Sequence, residues 1–238
     1  MSSNLASKLR EGTKKAHTMA ENVGFVRCFL KGVVEKDSYR KLVSSFFFVY
    51  SEMEAQMRRH QHHPVVGKIY FPLLERRTSL ERDLTFYYGA DWQAQVTPSP
   101  QTNQYVQRIR DVSDSEPELL VAHSYTRYLG DLSGGQILKG IAQRALNLPD
   151  GEGVDFYEFK DIADEKQFKA LYRQRLDEMP IEDATADRIV REANDAFELN
   201  MRVFQELEGS FVKAIGQLLF NTLTRPRTKG STELAPTD

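Results

Sequence analysis

A short run of the chain, from Tyr125 to Gln136, places three glycines around one acid inside a segment whose apolar spacing is helical. The glycines are Gly130, Gly134 and Gly135, and the acid is Asp131. A glycine in a helix interior costs about 1 kcal/mol relative to alanine. Three within six positions therefore indicate a bulky group against the backbone, because glycine leaves room for close approach and for bending.

A second group of polar residues lies near the start of the chain. Arg10, Lys14, His17 and Glu21 follow spacings of 4, 3 and 4, which puts them on one helical face. Such a stripe is usually the solvent side of a surface helix. The functional alternative is that His17 offers a neutral imidazole to a metal while Glu21 takes the other ring N–H. Arg10 and Lys14 would then offer cations to acidic groups of the same ligand.

One histidine does not hold a free metal ion alone, because zinc sites usually need three or four protein ligands. A haem brings the remaining coordination with it, since the porphyrin nitrogens fill the plane around the iron. Haem is also large, flat and apolar, with two propionates at one edge. An axial His17, nearby cations and a glycine-rich wall opposite match these properties.

The other histidines carry weaker signals. His60, His62 and His63 precede Pro64 at the predicted end of a helix, where histidine interacts favourably with the helix dipole. A transition-metal site is the alternative interpretation of these three. His123 lies in the long mid-chain segment, either as a partly buried residue with a hydrogen-bond partner or as a second axial ligand.

The elements that must position these residues are helices, because helical periodicity dominates and no convincing alternating strand occurs. The absence of linkers and repeats predicts one all-α domain. Several residues are expected to bound helices. Asp37 or Ser38 is expected to cap a helix that runs to His60. Thr78 and Glu81 are expected to form a capping box at the start of a helix that Gly89 ends. Asp164 is expected to cap a helix that Pro180 stops, and Asp183 to cap the last helix.

Composition indicates an ordinary soluble protein: 238 residues, 28% charged, net charge -2 and pI about 6.3. No global basic field exists to hold nucleic acid or an anionic membrane. Cys28, expected to be a small core residue, is the one cysteine, which favours a reducing compartment, the cytoplasm. The apolar run 211–223 is shorter than the roughly 20 residues of a spanning helix, so no membrane anchor is expected. The polar tail 224–238 is predicted to be disordered.

Two runs resemble the signatures of the haem oxygenases. They are Glu118 to Leu138, which reads ELLVAHSYTRYLGDLSGGQIL, and Leu9 to Asn22, which reads LREGTKKAHTMAEN. The resemblance extends over about residues 5–223 and is greatest to soluble cyanobacterial members. It implies a haem oxygenase domain over residues 1–223, all-α, with haem between a proximal and a distal helix. The implied reaction opens haem at a meso carbon to biliverdin, carbon monoxide and ferrous iron.

The resemblance also implies a role for each matching residue. His17 would be the axial iron ligand and Glu21 its neighbour. Asp131 would be the distal carboxylate that organises water. The remaining implied catalytic residues are Gly130, Gly134 and Gly135 of a kinked distal helix, with Tyr50 and Arg127 in its polar network. The remaining implied haem-binding residues are Arg10, Lys14, Tyr125, Lys169, Arg173, Phe197 and Asn200.

By the same resemblance, haem is both substrate and cofactor, dioxygen is the co-substrate and ferredoxin is the electron donor. The chain has no flavin or dinucleotide fingerprint of its own. A bilin reductase would accept the biliverdin, which supplies phycobilin and phytochrome chromophores. Two rival functions stay open: a non-catalytic haem carrier or sensor with His123 as second ligand, and a helical enzyme for a small heterocycle.

Overall fold

Helices form almost all of the regular structure in the computed structural model, which describes the backbone of residues 4–224 and the side chains of residues 4–208. No strand occurs within those bounds. In chain order the helices are α1 (Leu5–Glu21), α2 (Gly24–Leu30), α3 (Lys36–Arg59), α4 (Arg77–Tyr88), α5 (Pro100–Ser115), α6 (Leu120–Ser124), α7 (Gly130–Leu146), α8 (Glu165–Asp177) and α9 (Asp183–Thr224). Single 3-10 turns lie at Val66–Lys68, Pro72–Leu74, Trp92–Ala94, Pro117–Leu119 and Asp155–Tyr157. The all-α single-domain prediction is confirmed.

Two long helices organise the packing. α3 packs against α4, α5 and α9, and α9 in turn packs against α1, α2, α5 and α6. Apolar residues at helical spacing on α3, such as Phe46, Val49 and Met53, are buried. Each fully buried side chain of this size stabilises the fold by about 1.5–3 kcal/mol. α1 buries Leu5 and Leu9 against this core, so its opposite face is left to solvent or to a ligand.

The ends of α3 and α8 are capped by carboxylates. Glu35, rather than Asp37 or Ser38, caps α3: its two carboxylate oxygens accept the N–H groups of those two residues at 2.7 Å. The prediction was wrong because a glutamate one position before the helix reaches the same orphan donors. Asp164 caps α8 as predicted, accepting from the N–H groups of Lys166 and Gln167.

The cap of α4 comes from another helix. The Glu54 carboxylate of α3 accepts the backbone N–H of Arg76 at 2.5 Å and that of Arg77 at 3.3 Å. Thr78 and Glu81 therefore form no capping box, and Glu81 pairs with Arg77 instead. Gly89 ends α4 at φ +88°, as predicted. Asp183 is the first residue of α9 rather than its cap, and it pairs with Lys8 at 2.9 Å.

The mid-chain segment departs from a simple α-helix before its glycines. Residues Tyr125–Leu129 form a π-helical turn between α6 and α7. Gly130, Gly134 and Gly135 lie within α7, and none of them adopts a positive φ. The irregularity that the sequence suggested around the glycines is therefore one turn earlier. Single π turns of this kind are found frequently at functional sites.

Some predictions concern the chain ends and the cysteine. The predicted disordered tail lies almost entirely beyond residue 224, outside the described residues. Over the stretch that is described, no helix combines the length and apolarity needed to cross a membrane. Cys28 is half-buried in α2, so it is only partly the core residue expected.

Candidate functional site

His17 presents an accessible imidazole on α1. Its side chain is 57% exposed, and Nδ1 lies 3.7 Å from Glu21 Oε1, which is too long for a hydrogen bond. The ring of Phe197, on α9, packs edge-on at 5.8 Å between centroids. Nε2 has no hydrogen-bond partner among the described residues. The geometry thus leaves one ring nitrogen open and supports the ring on one side.

α7 presents bare backbone at two of its three glycines. A Cβ added at Gly130 or Gly134 would meet nothing within 4 Å, whereas one at Gly135 would lie 3.5 Å from the Tyr157 ring. The first two glycines therefore lie on an open face and the third packs against the protein. We call the space bounded by α1, by this α7 face and by Phe197 the slot.

A buried polar network stands behind the slot. It joins Tyr50, Arg127 and Asp131, the residues expected on the distal side, and it also includes Asn200, which was expected only to bind haem. Tyr50 OH donates a short hydrogen bond to Asp131 Oδ2, and Arg127 Nε donates to Tyr50 OH at 2.9 Å. Arg127 Nη1 donates to Asn200 Oδ1 at 2.8 Å, and Nη2 lies 3.7 Å from Asp131 Oδ1. Asn200 and Phe197 are one turn apart on α9, so this helix links the network to His17.

The carboxyl of Asp131 is tuned by this environment. Its side chain is only 11% exposed. Burial raises the pKa of Asp131, although the Arg127 charge and the Tyr50 hydrogen bond act against the rise. Burial also raises the pKa of Tyr50 well above its usual value, so the phenol stays a donor. The site therefore contains a carboxyl that keeps its proton at higher pH than an ordinary aspartic acid does.

Cations cluster at the end of the slot nearest the π turn. Burial raises the pKa of Tyr125, while a hydrogen bond with Thr13 and the charges of Arg173 and Arg10 oppose the rise. Both arginines thus lie close enough to Tyr125 to affect its ionisation. We call Arg10, Lys14, Tyr125, Lys169 and Arg173 the cationic rim.

The two lysines of the rim differ in their contacts. Lys169 Nζ donates to the carbonyl of Leu132 at 3.0 Å and so joins α8 to α7. Arg173 donates to the Lys169 carbonyl at 3.3 Å, one turn along α8. Lys14 is exposed, and its side chain makes no hydrogen bond or ion pair within the described residues. The rim therefore keeps donors available for an anionic ligand.

Sequence reasoning missed the residues beneath the network. Arg127 stacks over the Phe46 ring at 4.3 Å, and Phe156 packs edge-on against Tyr50 at 5.2 Å. Asp83 fixes the turn that carries Phe156, accepting the N–H groups of Asp155 and Phe156 at 2.8 Å each. A local signal existed only for Phe46, which lies four residues before Tyr50 on the apolar face of α3.

Glu54, four residues after Tyr50, was also missed. Besides capping α4, it lies 3.4 Å from the hydroxyl of Tyr128, which belongs to the π turn. Burial raises the pKa of Glu54 to about 7 against the backbone hydrogen bonds that it accepts. Glu54 thus ties α4 to the segment that leads into the glycine face.

His123 and His60 both have hydrogen-bond partners away from the slot. His123 is fully buried, with Nε2 3.0 Å from Glu192 Oε1, so its ring faces the core and not the slot. Although burial opposes it, hydrogen bonds from His123 and Arg108 bring the pKa of Glu192 down to about 2. His60 contacts Ser113 at 3.0 Å. Within the described ranges, no group of three or more His, Cys, Asp or Glu side chains could hold a metal ion.

The arrangement fits the haem predicted from the sequence. An open imidazole nitrogen, a face of bare glycine backbone and cations at one end suit a flat apolar macrocycle with two carboxylates. Most of the sequence-predicted site residues lie on the slot, in the network or on the rim, whereas Gly135 packs against Tyr157 instead. Glu21 is near His17 without bonding to it, and Lys14 is the residue with the least structural support.

Comparisons with known proteins support the same interpretation. A family model described as heme oxygenase matches residues 3–206. Heme oxygenase 1 of Nostoc sp. is 68% identical over 235 residues, which cover 99% of each chain. Heme oxygenase 1 of Synechocystis sp. is 64% identical over 234 residues, 98% of this chain and 97% of the relative.

Two solved structures from Synechocystis sp. superpose closely. Heme oxygenase-1 in complex with heme gives a TM-score of 0.90 at 64% identity, covering 93% of this chain and all of that one. Heme oxygenase-2 in complex with heme and NO gives a TM-score of 0.88 at 48% identity, covering 98% of this chain and 97% of that one.

Proposed function

The chain belongs to the haem oxygenase family, and on that premise we propose that its slot holds haem between His17 and the glycine face of α7. The likeness to cyanobacterial members expected from the sequence is confirmed. As a haem oxygenase the protein opens the haem ring oxidatively to biliverdin. Bound haem supplies the iron at which dioxygen is activated. The protein's own residues must orient the haem, keep bulky groups out of the slot and move protons.

On the α1 side, His17 is the residue proposed to bind the iron through Nε2. A ring nitrogen without a partner, on a side chain supported by Phe197, is available for this bond without breaking another. Glu21 lies one turn on, 3.7 Å from Nδ1, and a small side-chain rotation brings it within reach of Nδ1–H. That contact would fix the neutral tautomer and raise the basicity of the ligand.

On the α7 side, Asp131 is the proposed proton-holding residue. Tyr50 binds one of its oxygens and Arg127 lies near the other, so the carboxyl has a fixed orientation. Its raised pKa suits a group that holds a proton and passes it through water. Gly130 and Gly134 keep bulky side chains out of the slot, so only water and backbone adjoin it there.

The cationic rim is proposed to bind the two propionates. The charges of Arg10 on α1 and Arg173 on α8 both act on Tyr125, and each arginine can bind a carboxylate with two parallel hydrogen bonds. Lys169 keeps two further N–H donors beyond its bond to the Leu132 carbonyl. Fixing the propionates at one end fixes which meso edge faces the open part of the slot, and so which biliverdin isomer forms.

Electrons are proposed to come from ferredoxin, an acidic donor that would suit the exposed cations of the rim. A bilin reductase would then accept the biliverdin for chromophore synthesis, and the cytoplasm is the proposed site of both reactions. If ferredoxin docks by charge, the ferredoxin-supported rate should fall steeply as ionic strength rises, while the rate with ascorbate should hardly change. Equal salt dependence of the two rates would contradict the docking proposal.

The non-catalytic haem carrier is the weaker candidate, because its expected second ligand, His123, is fully buried and bound to Glu192. The observation that most favours a catalytic function over a carrier is the network of Tyr50, Arg127 and Asp131 beside an open glycine face. A carrier has no use for a proton-holding carboxyl in that position.

The test compares wild type with Asp131→Ala. Each protein is loaded with haemin and supplied with ferredoxin, its reductase and NADPH, and the pigment is identified by chromatography. We expect Asp131→Ala to keep the Soret titration of wild type but to lose at least about tenfold in biliverdin yield. The exposed Asp150→Ala is the matched control. A normal biliverdin yield from Asp131→Ala would remove Asp131 from its proposed role.

A further inference from the structure

A second groove lies at the far end of α7, where the end of α2 packs against it. It has a volume of about 390 Å³ and is lined by Leu30, Lys31, Gly32, Ile141, Arg144 and Ala145. That volume falls within the range of small-molecule sites, roughly 300–1,000 Å³. We call it the terminal groove. The cationic rim is at the opposite end of the same helix.

The terminal groove continues the face of α7 that bounds the slot. Gly130, Gly134, Ile137, Ile141 and Ala145 follow spacings of 4, 3, 4 and 4, so they form one stripe along the helix. About 15 Å of helix separates Gly134 from Arg144. Ile137, between the glycines and the groove, is 66% exposed. This stripe of glycine and apolar residues runs from the slot to the groove, although Ile141 on it is only 9% exposed.

The groove combines apolar walls with two cations that have no acidic partner. Leu30 is 45% exposed, and Ile141 and Ala145 face it from α7. Lys31 and Arg144 make no ion pair or side-chain hydrogen bond within the described part of the chain. Most other cations around the core do, as Arg108 and Arg188 show. The two cations are thus available to an anionic or carbonyl-bearing ligand.

A glycine lies close to each of the two cations. Gly32 has φ +76° and closes the turn after α2, where the N–H groups of Gly32 and Val33 bond to the carbonyls of Phe29 and Cys28. This turn sets the backbone position of Lys31, an exposed residue that lines the groove. A Cβ at Gly140 would lie only 3.2 Å from Arg144 Nη1, so the missing side chain lets the guanidinium lie along α7.

We propose that the terminal groove is a binding subsite for the open-chain tetrapyrrole product. The inference rests on the proposed function, because it needs biliverdin as the product leaving the slot. Biliverdin has apolar pyrrole faces, two carboxylates and two terminal lactam carbonyls. Leu30 and Ile141 would contact the pyrroles, and Lys31 and Arg144 would bind the oxygens.

The probe is biliverdin itself, titrated into full-length protein that is saturated with haemin and kept without reductant, so that the slot is filled and no turnover occurs. The induced visible circular dichroism of the bilin reports binding. We expect a saturable signal from wild type and about tenfold weaker binding by the double variant Lys31→Glu/Arg144→Glu. Biliverdin dimethyl ester, which lacks both negative charges, should bind wild type with similarly reduced affinity.

The matched control is Lys68→Glu/Arg191→Glu, which makes the same change of charge at two exposed cations away from the groove. It should bind biliverdin as wild type does. A bilin signal that appears with haem-free protein but is absent from haemin-saturated protein would overturn the subsite, because biliverdin and haemin would then compete for the slot. Equal affinity of the double variant and wild type would overturn it too. A wild type that shows no Soret change with haemin would reveal the separate failure of the proposed function.

Discussion

Replacing Glu54 by glutamine should change how the stability of the protein depends on pH. Glu54 is 3% exposed, and its folded-state pKa of about 7 compares with an ordinary value of 4.5. A carboxyl whose pKa is raised by folding stabilises the folded state below its unfolded pKa. That stabilisation is lost as pH rises through the folded pKa. Wild type should therefore lose stability near neutral pH, where Glu54→Gln should not.

The size of the effect follows from the two pKa values. Each pH unit over which the folded state alone holds the proton is equivalent to about 1.4 kcal/mol. The full contribution of Glu54 is thus about 3 kcal/mol between pH 4.5 and 7. Between pH 6 and 8, where few other carboxyls titrate, the free energy of unfolding should fall by about 1.4 kcal/mol in wild type relative to Glu54→Gln.

Urea unfolding of the haem-free protein, followed by circular dichroism at pH 6, 7 and 8, measures this difference. Glutamine keeps a carbonyl oxygen that can accept the Arg76 N–H, so the cap of α4 survives in the variant. Glu52→Gln is the control on the same helix. Although burial opposes it, hydrogen bonds from Arg110 and Gln56 lower the pKa of Glu52, so that carboxyl does not titrate in this window.

Two outcomes would refute the reasoning about Glu54. In the first, the difference in unfolding free energy between wild type and Glu54→Gln stays constant from pH 6 to 8. In the second, Glu52→Gln shows the same pH-dependent difference as Glu54→Gln. The first outcome would mean that Glu54 does not keep a proton in the folded protein at neutral pH, and the second that the pH dependence does not come from Glu54.

Three further substitutions test the slot. His17→Ala should lose the haemin Soret shift and regain it with added imidazole, whereas the exposed His62→Ala should titrate as wild type; haemin binding to His17→Ala without imidazole would contradict the assignment. Tyr50→Phe leaves Asp131 and Arg127 each without one hydrogen-bond partner, so the free energy of unfolding should fall by about 1–3 kcal/mol. In wild type the Tyr50 hydrogen bond lowers the pKa of Asp131. Its loss should raise that pKa and shift the pH profile of biliverdin formation to higher pH. An unmoved profile would exclude that bond from catalysis. Gly134→Leu should raise the free energy of unfolding of the haem-free protein by up to about 1 kcal/mol and yet block haemin binding. Gly135→Leu should instead destabilise the haem-free protein, because the new side chain would clash with Tyr157. Equal haemin affinity of Gly134→Leu and wild type would show that haem does not use this face.

Much of the slot was predictable because its residues carry local signals. The spacing of Arg10, Lys14, His17 and Glu21 marks one face of α1, and the cost of glycine in a helix marks Gly130 and Gly134. Both signals depend only on neighbours within a few turns. The helix bounds of α3, α4 and α8 were close for the same reason.

The support beneath the site was not predictable, because it joins residues that are distant along the chain. Asp83 holds the turn at Asp155 and Phe156, 72 and 73 positions away, and no periodicity reports such a bond. Glu54 caps α4 across 22 positions, which made Thr78 look like the better cap. Sequence patterns describe the face that a residue occupies, whereas these contacts depend on how helices dock.

The π turn at Tyr125–Leu129 also constrains the length of the chain at this point. One additional residue in a helix rotates everything beyond it by about 100° and advances it by about 1.5 Å. Ser124 bonds to Tyr172 on one side of the turn, and Asp131 reaches Tyr50 on the other. Deleting a single residue here would leave a regular helix that points Asp131 and both open glycines in new directions. Proteins that share this arrangement of side chains are therefore expected to tolerate substitutions in the turn far better than a change in its residue number.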